Sequence, residues 1–419
     1  MSARLHTLAN GVRVLADPMP GLETIALAVV AGRGARHEDE ARCGWSHLLE
    51  HMVFKGAGGR SARDIVEVIE AEGGQINAAT AYERTSFQVR ALKGGLPLAM
   101  EVIADLVLRP TLAEADLARE KDVVAQEIAE AFDTPDDLVF ELAQSKAFEG
   151  QPLGRPILGT VESIAAATPQ NLAAWRAALY APDRLIVSAA GAVDEDELLS
   201  LAERAFGSEA GEGAPATPAN TFTGGRAPTV RSLEQAHLVT LLPGPGASDP
   251  DFFAFRVFAE ALGGGMSSRL FQEAREKRGL AYTIDAYAET YSDVGVLGVY
   301  AGCRAKDAAE LARVAAGEIG ALAGSIGEAE LARAKAQLKA HLFMSAERPL
   351  ARAEQSAGQV LLLGEPYTSA RLAAGIDAVR AADIARLGER LVTPRKAAGA
   401  VLGPKGAMGA PEAFERALF

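Results

Sequence analysis

The chain opens with short apolar runs broken by glycine-bearing turns. Asn10-Gly11 sits between two such runs, and residues 24–30 form a third rich in Val, Ile and Leu, so the first elements are predicted as strands. A helix is predicted over 45–54. Ser61, with Asp64 three residues on, has the pattern of an N-cap and opens an amphipathic helix that stops at Gly73-Gly74. Strands are predicted over 75–81 and 85–91. Longer helical periodicities cover 95–108 and 114–132, and shorter helices lead to a strand over 184–190 and a helix over 195–205. Between 207 and 228 the periodicity fades into Gly, Ala, Pro, Thr and Ser, the composition of an exposed linker.

The second half repeats the first. A shift of 214 positions lays Leu117-Ala118-Arg119 over Leu331-Ala332-Arg333, again on a long helical pattern preceded by a turn, a strand pair and a helix. The same shift puts Ala334 opposite Glu120 and His341 opposite Glu127, so the second copy lacks two carboxylates of the first. At 419 residues the chain is long enough for two cores. The expected organisation is a domain over 1–206, a linker over 207–228 and a homologous domain over 229–419.

Composition narrows the function classes. A formal charge of −13 disfavours nucleic acid and anionic membrane as partners, because both are repelled at long range. A basic peptide would be attracted, although a surplus of carboxylates also serves simply as a solubilising surface. Two cysteines, Cys43 and Cys303, make no disulfide framework and suit a reducing compartment. The first residues carry no apolar signal-type run, and 25–31 is too short to cross a bilayer, so a soluble cytoplasmic protein is expected. The glycine cluster at 56–61 lacks the lysine of a phosphate loop, and no nucleotide site is expected.

Chemistry concentrates on the helix at 45–54, which reads His47-Leu48-Leu49-Glu50-His51. Residues four apart lie on one helical face, so His47 and His51 can converge on one ion, with Glu50 beside them to reach a water there. The chain has only six histidines, which makes this spacing more telling. A hydrolytic zinc site takes three protein ligands and keeps one position open, so a third donor must come from elsewhere. The helix from Glu114 offers Glu120 and Glu127, two turns apart on one face, and either could point toward the histidines.

With 75 residues between His51 and Glu127, the whole pattern resembles the pitrilysin-like M16 zinc metallopeptidases, over nearly the entire chain and in the processing-peptidase branch. The resemblance implies an α+β fold of two homologous domains, each a largely antiparallel sheet packed with helices. It implies one zinc ion per chain held by His47, His51 and Glu127, with Glu50 as general base and Glu120 behind the ligands. From the second half it implies Arg275 and Tyr282, seven residues apart, as further site residues: Tyr282 an oxyanion donor and Arg275 a positioning group. Residues Asn77, Ala78 and Ala79 correspond to an edge strand that accepts the substrate backbone. The expected function is a zinc metalloendopeptidase acting on peptides or unfolded polypeptide segments in a clamshell formed by two chains, a homodimer rather than a heterodimer with a related subunit. The rival expectation is a non-catalytic scaffold or regulatory subunit, whose members usually lose ligands that this chain keeps.

Overall fold

A computed structural model describes residues 3–211 and 217–419, so Met1, Ser2 and positions 212–216 of the expected linker lie outside it. The described chain divides into two compact units.

The first unit is built on a six-stranded sheet ordered β1-β2-β8-β3-β7-β6. Its strands are β1 (Arg4–Thr7), β2 (Arg13–Pro18), β3 (Thr24–Ala31), β6 (Gln75–Thr80), β7 (Thr85–Leu92) and β8 (Leu185–Gly191), with a small hairpin of β4 (Gly56–Ala57) and β5 (Arg60–Ser61). Only β2 and β8 run parallel. The helices of this stretch are α1 (Trp45–Val53), α2 (Ala62–Glu70), α3 (Leu96–Leu108), α4 (Glu114–Asp133), α6 (Val161–Ala165), α7 (Pro169–Leu179) and α8 (Glu195–Phe206). Between α4 and α6 lies α5 (Pro135–Ala147). Ser61 and Asp64 form the capping box that starts α2, as their spacing predicts.

Both faces of this sheet are covered. Ile25, Leu27 and Val29 of β3 join a core with Leu48, Leu49 and Met52 of α1 and Val102, Ile103 and Leu106 of α3. Ala28 and Val30, on the opposite face by strand alternation, pack with Leu15, Ile186, Ala353, Ala357 and Val360. The last three belong to α12 (Pro349–Leu363), far along the chain. Small residues at 353 and 357 let this helix approach the sheet closely. The Ser188 hydroxyl donates to the Ala353 carbonyl at 2.8 Å, and Arg352 pairs with Asp17, which is 2% exposed.

The second unit repeats the plan with five strands ordered β11-β12-β10-β13-β9. These are β9 (Gly225–Val230), β10 (Ala236–Gly244), β11 (Ala281–Thr290), β12 (Gly295–Cys303) and β13 (Ala398–Gly403). Read as β9-β13-β10-β12-β11, the order reproduces β2-β8-β3-β7-β6, again with one parallel pair, β9 with β13. Helices α9 (Phe252–Gly263), α10 (Ala308–Gly324), α14 (Ala381–Val392) and α15 (Ala410–Leu418) build its core, with α11 (Glu328–Ala346) as the counterpart of α4. Helix α13 (Ser369–Ala378) completes the set. Here α5 packs on β9, β10 and β13.

The two sheets therefore exchange equivalent helices: Pro135 and Pro349, 214 positions apart, begin α5 and α12, and each helix belongs to the unit of the other half. The first unit comprises the described residues up to Ala129 with Arg155–Pro218 and Phe343–Ser369; the second comprises Glu130–Gly154, Ala219–Leu342 and Ala370–Phe419. The junction between Pro218 and Ala219 lies within 207–228, and each unit also takes in a segment from the other half of the sequence. A strand sheet buried on both faces requires a second helical layer, and here it comes from the other half of the sequence. Among the described residues no helix is long and apolar enough to cross a membrane.

Candidate metal centre

Helix α1 is fixed at its N-terminus before any donor is reached. Gly44 has φ of 86°, and a Cβ there would come within 2.4 Å of the Leu158 carbonyl oxygen, so glycine is required on both counts. The buried Glu38 carboxylate accepts from the Gly44 and Ser46 N–H groups, each at 2.7 Å. This covers two of the orphan donors of the helix start and places a carboxylate at the positive end of its dipole. Trp45 donates its indole N–H to the Ser163 carbonyl at 2.9 Å. With Leu48, Leu49, Met52 and Val53 buried below, the partly exposed stripe left over is His47, Glu50 and His51.

Helix α4 presents its own stripe. Leu117, Glu120 and Val124 are buried, and Glu127 follows one turn later. The Nε2 atoms of His47 and His51 lie 3.8 and 3.6 Å from the same Glu127 oxygen, Oε2. One donor atom from each of the three residues falls within 4.8 Å of the others. Ligands held at about 2.0–2.2 Å from one zinc ion lie no more than about 4.4 Å apart. The two measured separations meet that limit.

The donor chemistry fits as well. Burial, and next the charge of His51, pushes the His47 imidazole down to about 4, so at physiological pH it is neutral, as a metal donor must be. His51 Nδ1 lies 3.1 Å from Glu120 Oε2, and the other Glu120 oxygen is 2.8 Å from Lys55 Nζ. A carboxylate on Nδ1 fixes the tautomer that leaves Nε2 free as a donor. The Glu120 side chain is 6% exposed, so the Lys55 charge compensates its burial. The buried Nδ1 of His47 has no hydrogen-bond partner among the described residues.

Glu50 stands beside this group without joining it. Burial raises its carboxyl above the ordinary value of 4.5, opposed first by a hydrogen bond from the Thr80 hydroxyl. Asn77, Ala78 and Ala79 lie on β6, the outermost strand of the sheet, where Asn77 Oδ1 accepts from the Ala78 N–H at 2.9 Å. Arg275 and Tyr282 belong to the second unit. There Arg275 rests over the Tyr282 and Phe271 rings, 5.1 and 4.6 Å from their centroids, and Tyr282 is 78% exposed. Arg275 sits on a seven-residue π-helix, Phe271–Lys277, a rare backbone form frequent at functional sites. Sequence reasoning passed over Lys55, Thr80 and Glu38. Lys55 could have been found as the residue one turn beyond His51; nothing local announces the other two.

The family profile described as Insulinase (Peptidase family M16) matches residues 13–161, and that described as Peptidase M16 inactive domain matches residues 166–338. The chain belongs to peptidase family M16. A protein named as an uncharacterized zinc protease from Mycobacterium leprae is 36% identical over 405 residues, spanning 95% of this chain and 91% of its own length. Another of that description, from Bacillus subtilis, is 34% identical, spanning 96% and 98%. Among solved structures, a protease from Helicobacter pylori has a TM-score of 0.89 at 22% identity, covering 96% of this chain and 99% of that one. An M16 inactive-domain peptidase from Pseudomonas fluorescens has a TM-score of 0.88 at 19% identity, covering 97% and 98%. At these identities the structural likeness establishes the M16 fold. The description of the second profile agrees with the repeat: Ala334 and His341 of α11 stand where α4 has Glu120 and Glu127.

The turn that leads into α1 carries a separate titrating group. His37 is pushed down to about 3 by burial, then by the Arg33 charge, and its Nδ1 accepts from the Gly34 N–H at 3.1 Å. Between that value and 6.5 the unfolded chain binds a proton that the folded chain refuses, so this group's stabilisation is complete above 6.5 and is lost as pH falls toward 3. The wild type is expected to lose about 1–2 kcal/mol more stability, a few degrees in Tm, than His37→Gln between pH 7 and 5. Thermal unfolding of both proteins at the two pH values checks this, and parallel losses would remove His37 from the account.

Proposed function

We propose that this chain is a zinc-dependent metalloendopeptidase that hydrolyses peptides or unfolded polypeptide segments. The observation that carries the reading is the convergence of His47, His51 and Glu127 beside a separate half-buried carboxylate, Glu50. The relatives named as zinc proteases support the choice of metal and reaction. When bound by these three residues, zinc supplies Lewis acidity, lowering the pKa of water and polarising a peptide carbonyl.

The remaining work falls to side chains. Glu50 takes a proton from the attacking water and delivers it to the leaving amine nitrogen, and its raised proton affinity suits both halves of that transfer. Glu120 and Lys55 hold the His51 ring in its tautomer. The free edge of β6 receives the substrate backbone, which takes over the Ala78 N–H now bonded to Asn77. Pairing through main-chain groups tolerates many sequences, as a peptidase for unfolded segments requires. For Tyr282, exposed and beside Arg275 in the second unit, the resemblance to the family supports the role of oxyanion donor. Scaffold members usually lose ligands, and this chain keeps His47, His51, Glu127 and Glu50, which supports the peptidase reading over the scaffold alternative.

The test is digestion of a long unstructured peptide by zinc-loaded protein, with products read by mass spectrometry. Internal cleavage that a chelator stops and zinc restores is the expected result. A zinc-replete, folded protein that leaves the peptide intact would overturn the proposal.

A further inference from the structure

We infer that Thr80 is a positioning residue for Glu50, tying the proton acceptor to the edge strand on which the substrate backbone would lie. This rests on the peptidase reading above. The Ala81 N–H bonds to the Arg84 carbonyl within the β6–β7 hairpin. Backbone groups alternate along a strand, so the N–H groups of Thr80 and Ala78 face the free edge of β6. The Ala78 group is held by Asn77, whereas at Thr80 the side-chain hydroxyl donates to Glu50 Oε2. Thr80 is the last residue of β6, and α1 packs directly against this strand.

A glutamate has three side-chain torsions, and a free carboxylate on α1 would sample several rotamers. A donor on one rigid strand residue favours a single rotamer and engages Oε2, leaving Oε1 as the proton acceptor. Because the donor comes from the strand that would pair with the peptide, one backbone segment sets both the register of the scissile bond and the place of the base. A threonine does this better than a longer donor, since its hydroxyl sits on the β-carbon with a restricted χ1.

The experiment compares Thr80→Val and Thr80→Ser with the wild type, all zinc-loaded, in steady-state peptide hydrolysis, with zinc affinity by chelator competition and Tm recorded for each. Valine keeps the shape and the N–H but removes the hydroxyl. We expect kcat to fall about 10- to 100-fold in Thr80→Val with KM, zinc affinity and Tm near wild type, and Thr80→Ser to recover most of the rate. In a Glu50→Gln background, Thr80→Val should cost nothing further. A wild-type kcat in Thr80→Val, a loss that serine does not recover, or a loss that follows zinc affinity or Tm would each overturn the role. If the zinc-loaded wild type cleaves no peptide, the peptidase reading fails first and takes this role with it, a result distinguishable from all of these.

Discussion

Glu50→Gln is expected to keep zinc at the wild-type stoichiometry and to lose at least about 100-fold, and up to about 10,000-fold, in peptide turnover. Glutamine has the size of glutamate and still offers Thr80 an oxygen to donate to, so the rotamer and the packing of α1 are preserved. Glu50 is also absent from the three-residue donor group, so metal binding has no direct reason to change. What the substitution removes is the capacity to accept and return a proton. Metal analysis and initial rates on the same preparation check it. A variant that cleaves at the wild-type rate would show that Glu50 is not the base, whatever holds the metal.

The second large effect is expected at Glu127. Its side chain is 37% exposed, and its Oε2 lies 3.8 and 3.6 Å from the Nε2 atoms of His47 and His51. Glu127→Gln should therefore leave the fold intact while weakening zinc binding by more than the roughly 10- to 100-fold expected for Glu120→Gln, which acts only through the His51 ring. The two glutamates are two turns apart on one helix, so the comparison separates direct ligation from support within one local frame. Chelator competition measures both affinities. Equal losses would erase the distinction between ligand and support, and negligible losses in both would detach α4 from the metal.

The parts of the site that sequence reasoning reached are those whose geometry is local. His47 and His51 sit four apart on a helix whose other face is Leu48, Leu49 and Met52, so the pattern alone sets both imidazoles on one side. Glu127 required the family spacing, since helix periodicity left it and Glu120 equivalent. Thr80 and Glu38 stayed hidden because their partners lie 30 and 6 to 8 residues away, across a strand-to-helix contact and a turn that no periodicity encodes.

The exchanged helices were hidden for a related reason. Amphipathic patterns at 135–147 and 349–363 announce helices without saying which sheet they cover. There was nonetheless a clue in the apolar run at 25–31: a strand without polar alternation is buried on both faces and needs a helical layer on each. The internal repeat also held information about function. Ala334 and His341 opposite Glu120 and Glu127 mark the second copy as one that lost its carboxylates, and the structure places both residues on α11 as the repeat requires.

The central claim is that one ion, held by His47, His51 and Glu127, is what makes this chain a hydrolase. The most direct measurement is the initial rate of peptide hydrolysis while metal-free protein is titrated with zinc. The account predicts a rate that rises from zero in proportion to added zinc and levels at one ion per chain, with Glu127→Gln staying flat over the same range. Hydrolysis by the metal-free protein, or no hydrolysis at full occupancy, would contradict it.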